Sequence, residues 1–167
     1  MMKRILFSLA VLGLLLPTLP ASAADTVMET FFRGKTTAVG SFSAINGVSR
    51  KFDVVLTGRT RGKIFTLRED FVYADGERDR KTWRFVRTGP NTYTGTREDV
   101  VGETTVRVDG NTVRFNYLVD LDPGQGRNIV HFFDKLVFSK DGKTVANTAS
   151  VWKYVFPVAR VKVDFKR

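Results

Sequence analysis

The chain has 167 residues, with 27 Lys and Arg against 17 Asp and Glu, a formal net charge of +10, one histidine and no cysteine. Disulfides, cysteine-held metals and a lipid anchor on cysteine are thereby excluded, and one histidine is too little for a histidine metal cluster or a catalytic triad. The basic excess favours anionic surfaces, but SRK (49–51), RTRGK (59–63), RDRK (78–81) and FKR (165–167) are scattered among acids. That scatter fits the solvated faces of strands better than a nucleic-acid patch.

Residues 1–23 read as a secretory signal peptide. Lys3 and Arg4 form its basic start, Ile5 to about Leu19 its apolar run, and Ala21-Ser22-Ala23 its small-residue processing site. Cleavage is expected between Ala23 and Ala24. Residues 24–167 would then form a single domain, periplasmic or secreted. No later apolar run is long enough for a membrane-spanning helix.

Thr26-Val27-Met28-Glu29 has capping-box spacing, so a short helix is expected, ending near Gly34. Val27, Met28, Phe31 and Phe32 would turn inward and plug one end of the fold. Beyond it, turn signals recur at Asn46-Gly47, 58–62, 74–76, 89–91, Gly102, Asp109-Gly110, 122–126 and Asp141-Gly142. The runs between them, rich in Val, Phe, Thr and Tyr, predict strands near 36–45, 48–57, 62–74, 78–88, 91–98, 103–108, 112–121, 127–139, 143–155 and 158–166. Consecutive hairpins at this spacing indicate an all-β, up-and-down antiparallel barrel of about 8–10 strands, closed so that no edge is exposed.

The hairpin LREDFVYADGERDRKTWRF (67–85) decides which side chains face inward. A two-residue Asp75-Gly76 loop would set Leu67 against Arg84. A three-residue Ala74-Asp75-Gly76 loop with a left-handed Gly76 instead sets Phe65 opposite Phe85, Leu67 opposite Trp83 and Glu69 opposite Lys81. A one-residue slip flips every side chain, so the apolar pattern selects the second register. On later strands Tyr117 shares a face with Phe115, Phe132 with Asp134 and Leu136, and Lys153 with Asn147 and Ala149. An Asp141-Gly142 turn would set Asp134 against Ala149. The cavity-lining candidates are therefore Phe65, Leu67, Glu69, Phe71, Lys81, Trp83, Phe85, Tyr117, Phe132, Asp134 and Lys153. Glu69 is expected to point inward and meet a basic group, Lys81 first and Lys153 second. Such inward polar groups suit an internal salt-bridge network, the polar end of a ligand cavity, or a catalytic pair.

No catalytic set, metal site or cofactor motif emerges. The neighbouring acids Glu69-Asp70 and Glu98-Asp99 point to opposite strand faces and do not converge on one substrate. Asp99 is expected to cap a loop. His131 and Trp152 fall out of step with the inward residues and belong on the outer face.

FFRGKTTAVGSF (31–42), LREDFVYADGE (67–77), Trp83, YTGTREDVVGE (93–103), NYLVDL (116–121) and VKVDFKR (161–167) together resemble a bacterial family known as domain of unknown function 3833. The resemblance runs from about Glu29 to Arg167. It implies a lipocalin-like barrel, with Gly40-Ser41-Phe42 standing where lipocalins carry Gly-x-Trp. Many members look like lipoproteins; this chain lacks the anchoring cysteine. No catalytic residues are carried over. The combined reading is an exported carrier of an apolar, lipid-like small molecule, with peripheral contact to anionic envelope surfaces. Its rivals are a lipid-modifying barrel enzyme (isomerase, hydratase or cyclase) and a structural envelope protein whose barrel is filled.

Overall fold

The turn at Ala74-Asp75-Gly76 takes the three-residue form. In the computed structural model, which describes residues 24–122 and 128–167, the Tyr73 amide donates to the Glu77 carbonyl and Gly76 sits at φ 87°. The ladder that follows sets Phe65 beside Phe85, Leu67 beside Trp83 and Glu69 beside Lys81. Segments 1–23 and 123–127 lie outside the described residues, and with them the expected signal peptide up to Ala23 and most of the turn expected at 122–126.

The elements are α1 (Val27–Phe32), β1 (Gly34–Ala44), β2 (Ser49–Arg61), β3 (Ile64–Tyr73), β4 (Arg78–Gly89), β5 (Thr92–Thr96), β6 (Val100–Val101), β7 (Thr104–Asp109), β8 (Thr112–Asp120), β9 (Ile129–Phe138), β10 (Thr144–Lys153) and β11 (Phe156–Lys166). Neighbouring strands pair antiparallel in chain order, and β11 returns to β1, closing a barrel of 10 strands. The short β6 is a side branch against the upper part of β8, pairing Val100 with Val119. The Asp141-Gly142 hairpin sets Asp134 against Ala149 and Leu136 against Asn147. Along β2 and β11 the inward positions are mostly apolar and most charged residues face outward, the reverse of a barrel embedded in lipid. No helix among the described residues is long and apolar enough to cross a membrane.

Helix α1 forms through the expected capping box: the Glu29 amide donates to Thr26 Oγ1 and the Thr26 amide to Glu29 Oε2. It closes one end of the barrel. Phe31 and Phe32 are 2% exposed and meet Phe138 and Phe165 edge to face. Glu29 is buried with them, its carboxylate 3.7 Å from Arg87 Nη1. The sequence expectation of a turn at 58–62 is corrected in part. β2 continues through Gly58 to Arg61, and the tight turn falls at Gly62 and Lys63. Gly58 is a packing residue: a Cβ there would stand 2.0 Å from the Phe32 carbonyl oxygen, so only glycine lets the plug seat.

Among the described residues the other end is open, ringed by the turns at 45–48, 74–77, 97–103 and 154–155.

Candidate functional site

A cavity of about 410 Å³ runs down the barrel from the open end. Its volume falls in the range of small-molecule sites, roughly 300–1,000 Å³. Met28 and Phe32 of the plug form its floor. Val54, Leu56, Leu67, Phe71, Trp83, Phe85, Phe115, Tyr117 and Phe132 form its walls, and Phe42, Arg50 and Tyr73 stand near its mouth. The aromatic walls interlock: Trp83 stacks on Phe85 at 5.3 Å and meets Tyr117 edge-on at 5.0 Å, while Tyr117 stacks on Phe132 at 5.4 Å.

Into this apolar lining project Glu69, Arg97, Asp134 and Asn147. Arg97 is the centre of the group. Its Nε and Nη2 donate to the two oxygens of Asp99 at 2.6 and 3.2 Å, a two-point grip that fixes the guanidinium plane. Its Nη1 lies 3.8 Å from Glu69 Oε2, and its Cζ sits 4.7 Å from the centre of the Trp83 ring. Burial works against the Arg97 charge, but the carboxylates of Glu69 and Asp99 and the Asp99 hydrogen bonds hold it firmly protonated. Across the barrel, Asn147 Nδ2 donates to Asp134 Oδ1 at 2.8 Å. Asp134 Oδ2 and Asn147 Oδ1 are buried without a hydrogen-bond partner among the described residues.

Desolvation dominates the carboxylates. It pushes Glu69 up to about 7, against the pull of Arg97 and with the repulsion of Asp134 and Asp99. It also raises Asp134, against the Asn147 hydrogen bond and the nearby Tyr117 phenol. Tyr117 is raised well above its ordinary value by burial and by the field of Asp134. Asp99 behaves differently: burial opposes its charge, but Arg97 and Lys81 overcome this and hold it below the usual range. No group of three or more His, Cys, Asp or Glu among the described residues is arranged to hold a metal.

Of the sequence-derived candidates, Leu67, Glu69, Phe71, Trp83, Phe85, Tyr117, Phe132 and Asp134 line the cavity. Phe65 is 0% exposed and packs behind the lining, stacked on Phe85. Two lysines go elsewhere, which corrects the expected pairing. Lys81 is the cross-strand neighbour of Glu69, but its ammonium turns to Asp79 at 3.2 Å and Asp99 at 3.4 Å. Lys153 Nζ binds Asn128 Oδ1 at 2.5 Å. A strongly hydrated ammonium on a flexible stem escapes burial more easily than a guanidinium that is gripped and stacked. Arg97 and Arg50 were not among the candidates. The signal for both was strand alternation: Arg97 is in step with Tyr93 and Gly95, and Arg50 with Phe52, Val54 and Leu56. Asp99 does not merely cap a loop; it orients Arg97. His131 and Trp152 face outward, His131 Nε2 lying 2.9 Å from Asn116 Oδ1 and Trp152 packing edge-on to Phe133.

A closed antiparallel barrel, plugged at one end by an N-terminal helix and open at the other onto a ligand-sized cavity, is a lipocalin-like architecture. The chain belongs to the family described as "Protein of unknown function (DUF3833)", whose model matches residues 18–167. Two solved structures share the fold at low identity. Rv2717c from M. tuberculosis is 12% identical with a TM-score of 0.58, the match covering 86% of this chain and 99% of that one. The S-type phycobiliprotein lyase CPES from Guillardia theta is 8% identical with a TM-score of 0.56, covering 86% of this chain and 92% of that one. A comparison with curated proteins finds no significant sequence match.

Proposed function

We propose that this protein binds an apolar, lipid-like small molecule inside its barrel and carries it in the cell envelope, in the periplasm or outside the cell. The observation that carries the reading is the aromatic-walled cavity with one polar cluster partway along it. The walls would bury the body of the ligand, and Glu69, Arg97 and Asp134 would meet its polar end. The signal-peptide pattern of residues 1–23 supports export. A filled structural barrel has no support among the described residues, because the interior is hollow.

Protein purified from its own envelope without detergent should show a bound small molecule by native mass spectrometry. The emptied protein should enhance the fluorescence of N-phenyl-1-naphthylamine. Ala149 lines the cavity opposite Asp134, so Ala149→Trp should abolish both signals while the far-ultraviolet circular dichroism stays that of a β-barrel. Undiminished probe binding by that variant would rule out the cavity as the site.

One observation favours a catalytic variant of this reading. Glu69, pushed up to about 7, and the raised Asp134 share one desolvated pocket, which suits proton transfer on a bound lipid by an isomerase, hydratase or cyclase. Chemical change of the extracted ligand on incubation with wild type, but not with Glu69→Gln, is its test.

A further inference from the structure

The open end of the barrel is not uniformly polar. Two neighbouring hairpins present their tips there, β1–β2 and β10–β11, held side by side by the β1–β11 ladder and by the Ile45 amide donating to the Val158 carbonyl. The tips carry Ile45 (78% exposed), Val48 (49%), Tyr154 (87%), Val155 (73%) and Phe156 (66%). Packing within the chain does not require them, since none belongs to the core. Tyr154 also holds φ 55°, the left-handed region that side chains other than glycine rarely adopt, and its ring is left in water. An apolar cluster of this kind on a single rim marks a contact surface.

The charge beneath the cluster indicates what it contacts. Descending from the tips on the outer face come Arg160 and Lys162 on β11 and Lys51 on β2, all exposed. None of these three forms an ion pair among the described residues. The carboxylates of the same strands, Asp164 and Asp53, stand lower, two positions further from the rim. Beside the β1–β2 tip on the rim, the β3–β4 turn is acidic, but its Asp75 and Glu77 are spent on Arg50 of β2 at 2.8 and 2.6 Å. Among the described residues, then, the two tips stand over a basic belt whose three cations are unpaired, and the acids of the flanking turn are already occupied by Arg50. Aromatic and aliphatic tips above free cations suit the interface of an anionic bilayer, where rings seat among acyl chains and cations meet phosphates.

We infer that the paired β1–β2 and β10–β11 tips dock the barrel, tilted onto that side, on an anionic phospholipid surface, bringing the cavity mouth to the bilayer. This rests on the ligand-carrying reading and names the surface at which the ligand would enter and leave. A second copy of the chain is the competing occupant, but two copies would bring the basic belts together.

The test is co-sedimentation of the protein with vesicles of phosphatidylcholine alone or with phosphatidylglycerol added, alongside N-phenyl-1-naphthylamine binding. Strong binding is expected only with phosphatidylglycerol, weakening as salt rises. Tyr154→Asn combined with Phe156→Ser should reduce the bound fraction about tenfold. Asparagine tolerates the left-handed backbone, so the fold should hold. Lys51→Gln, Arg160→Gln and Lys162→Gln together should remove the preference for phosphatidylglycerol. All these variants should keep wild-type probe binding, which separates failure of docking from failure of the cavity reading. Equal binding to both vesicle types, or unchanged binding by the tip variant, would overturn the inference. So would a dimer in sedimentation velocity that the tip variant abolishes, with no vesicle binding by the wild type.

Discussion

Glu69 Oε2 lies 3.8 Å from Arg97 Nη1, although the residue directly across the ladder from Glu69 is Lys81. The strand pairing sets one neighbour and the barrel closure supplies another. Arg97 reaches Glu69 from β5's end, two strands away, because Asp99 and the Trp83 ring hold its guanidinium over the cavity. Arg97→Met should therefore leave Glu69 without its cation and Asp99 with Lys81 alone, and cost about 3–5 kcal/mol in chemical denaturation. Arg97→Lys should fall between, since it keeps the charge and loses the two-point grip. A methionine variant as stable as wild type would show that the cluster is not held by this cation.

Glu69 makes stability depend on pH. Its folded-state pKa, about 7, lies above its ordinary 4.5, so the folded protein holds this proton more tightly than the unfolded chain. The contribution is full below about pH 4.5 and is lost as pH rises through about 7. Asp134, also raised, acts with the same sign. Relative to Glu69→Gln, the wild type should lose about 3 kcal/mol between those limits, at roughly 1.4 kcal/mol per unit. Guanidinium titrations of both proteins at several pH values measure the difference, and parallel curves would show that Glu69 is not buried as described.

The two tryptophans should differ sharply. Trp83 is 3% exposed within the aromatic wall, whereas Trp152 is half-buried on the outer face with its indole N–H donated to Ser150 Oγ. In Trp152→Phe the remaining Trp83 should resist acrylamide, and in Trp83→Phe the remaining Trp152 should be quenched readily. Trp83→Ala should cost about 3–5 kcal/mol.

Gly58→Ala tests the plug. The added methyl cannot coexist with the Phe32 carbonyl oxygen at its present position, so α1 must shift outward. Destabilisation of about 1–3 kcal/mol is expected, together with faster amide exchange in residues 27–33. Unchanged exchange would show that the helix end is not wedged against β2.

The sequence by itself determined the strands, the capped helix and the register of the central hairpin. Each of these is decided by local chemistry: alternation, capping residues, and a glycine where positive φ is needed. That was enough to turn Glu69, Trp83, Tyr117 and Asp134 inward. Alternation in β5 and β2 also carried the inward directions of Arg97 and Arg50, which the candidate set left out. Only the tertiary structure decided their partners. Closing the barrel brings β5, β3 and β9 around one space, and there the cost of desolvating each charge selects its neighbour. A guanidinium, gripped and stacked, stays in the interior, while the two lysines swing to acids and amides nearer water. The same closure seats α1 against Gly58 and leaves the hairpin tips of β1–β2 and β10–β11 together at the open rim. No local pattern encodes those meetings, because they join residues on different elements, from Phe32 and Gly58 to Ile45 and Val158.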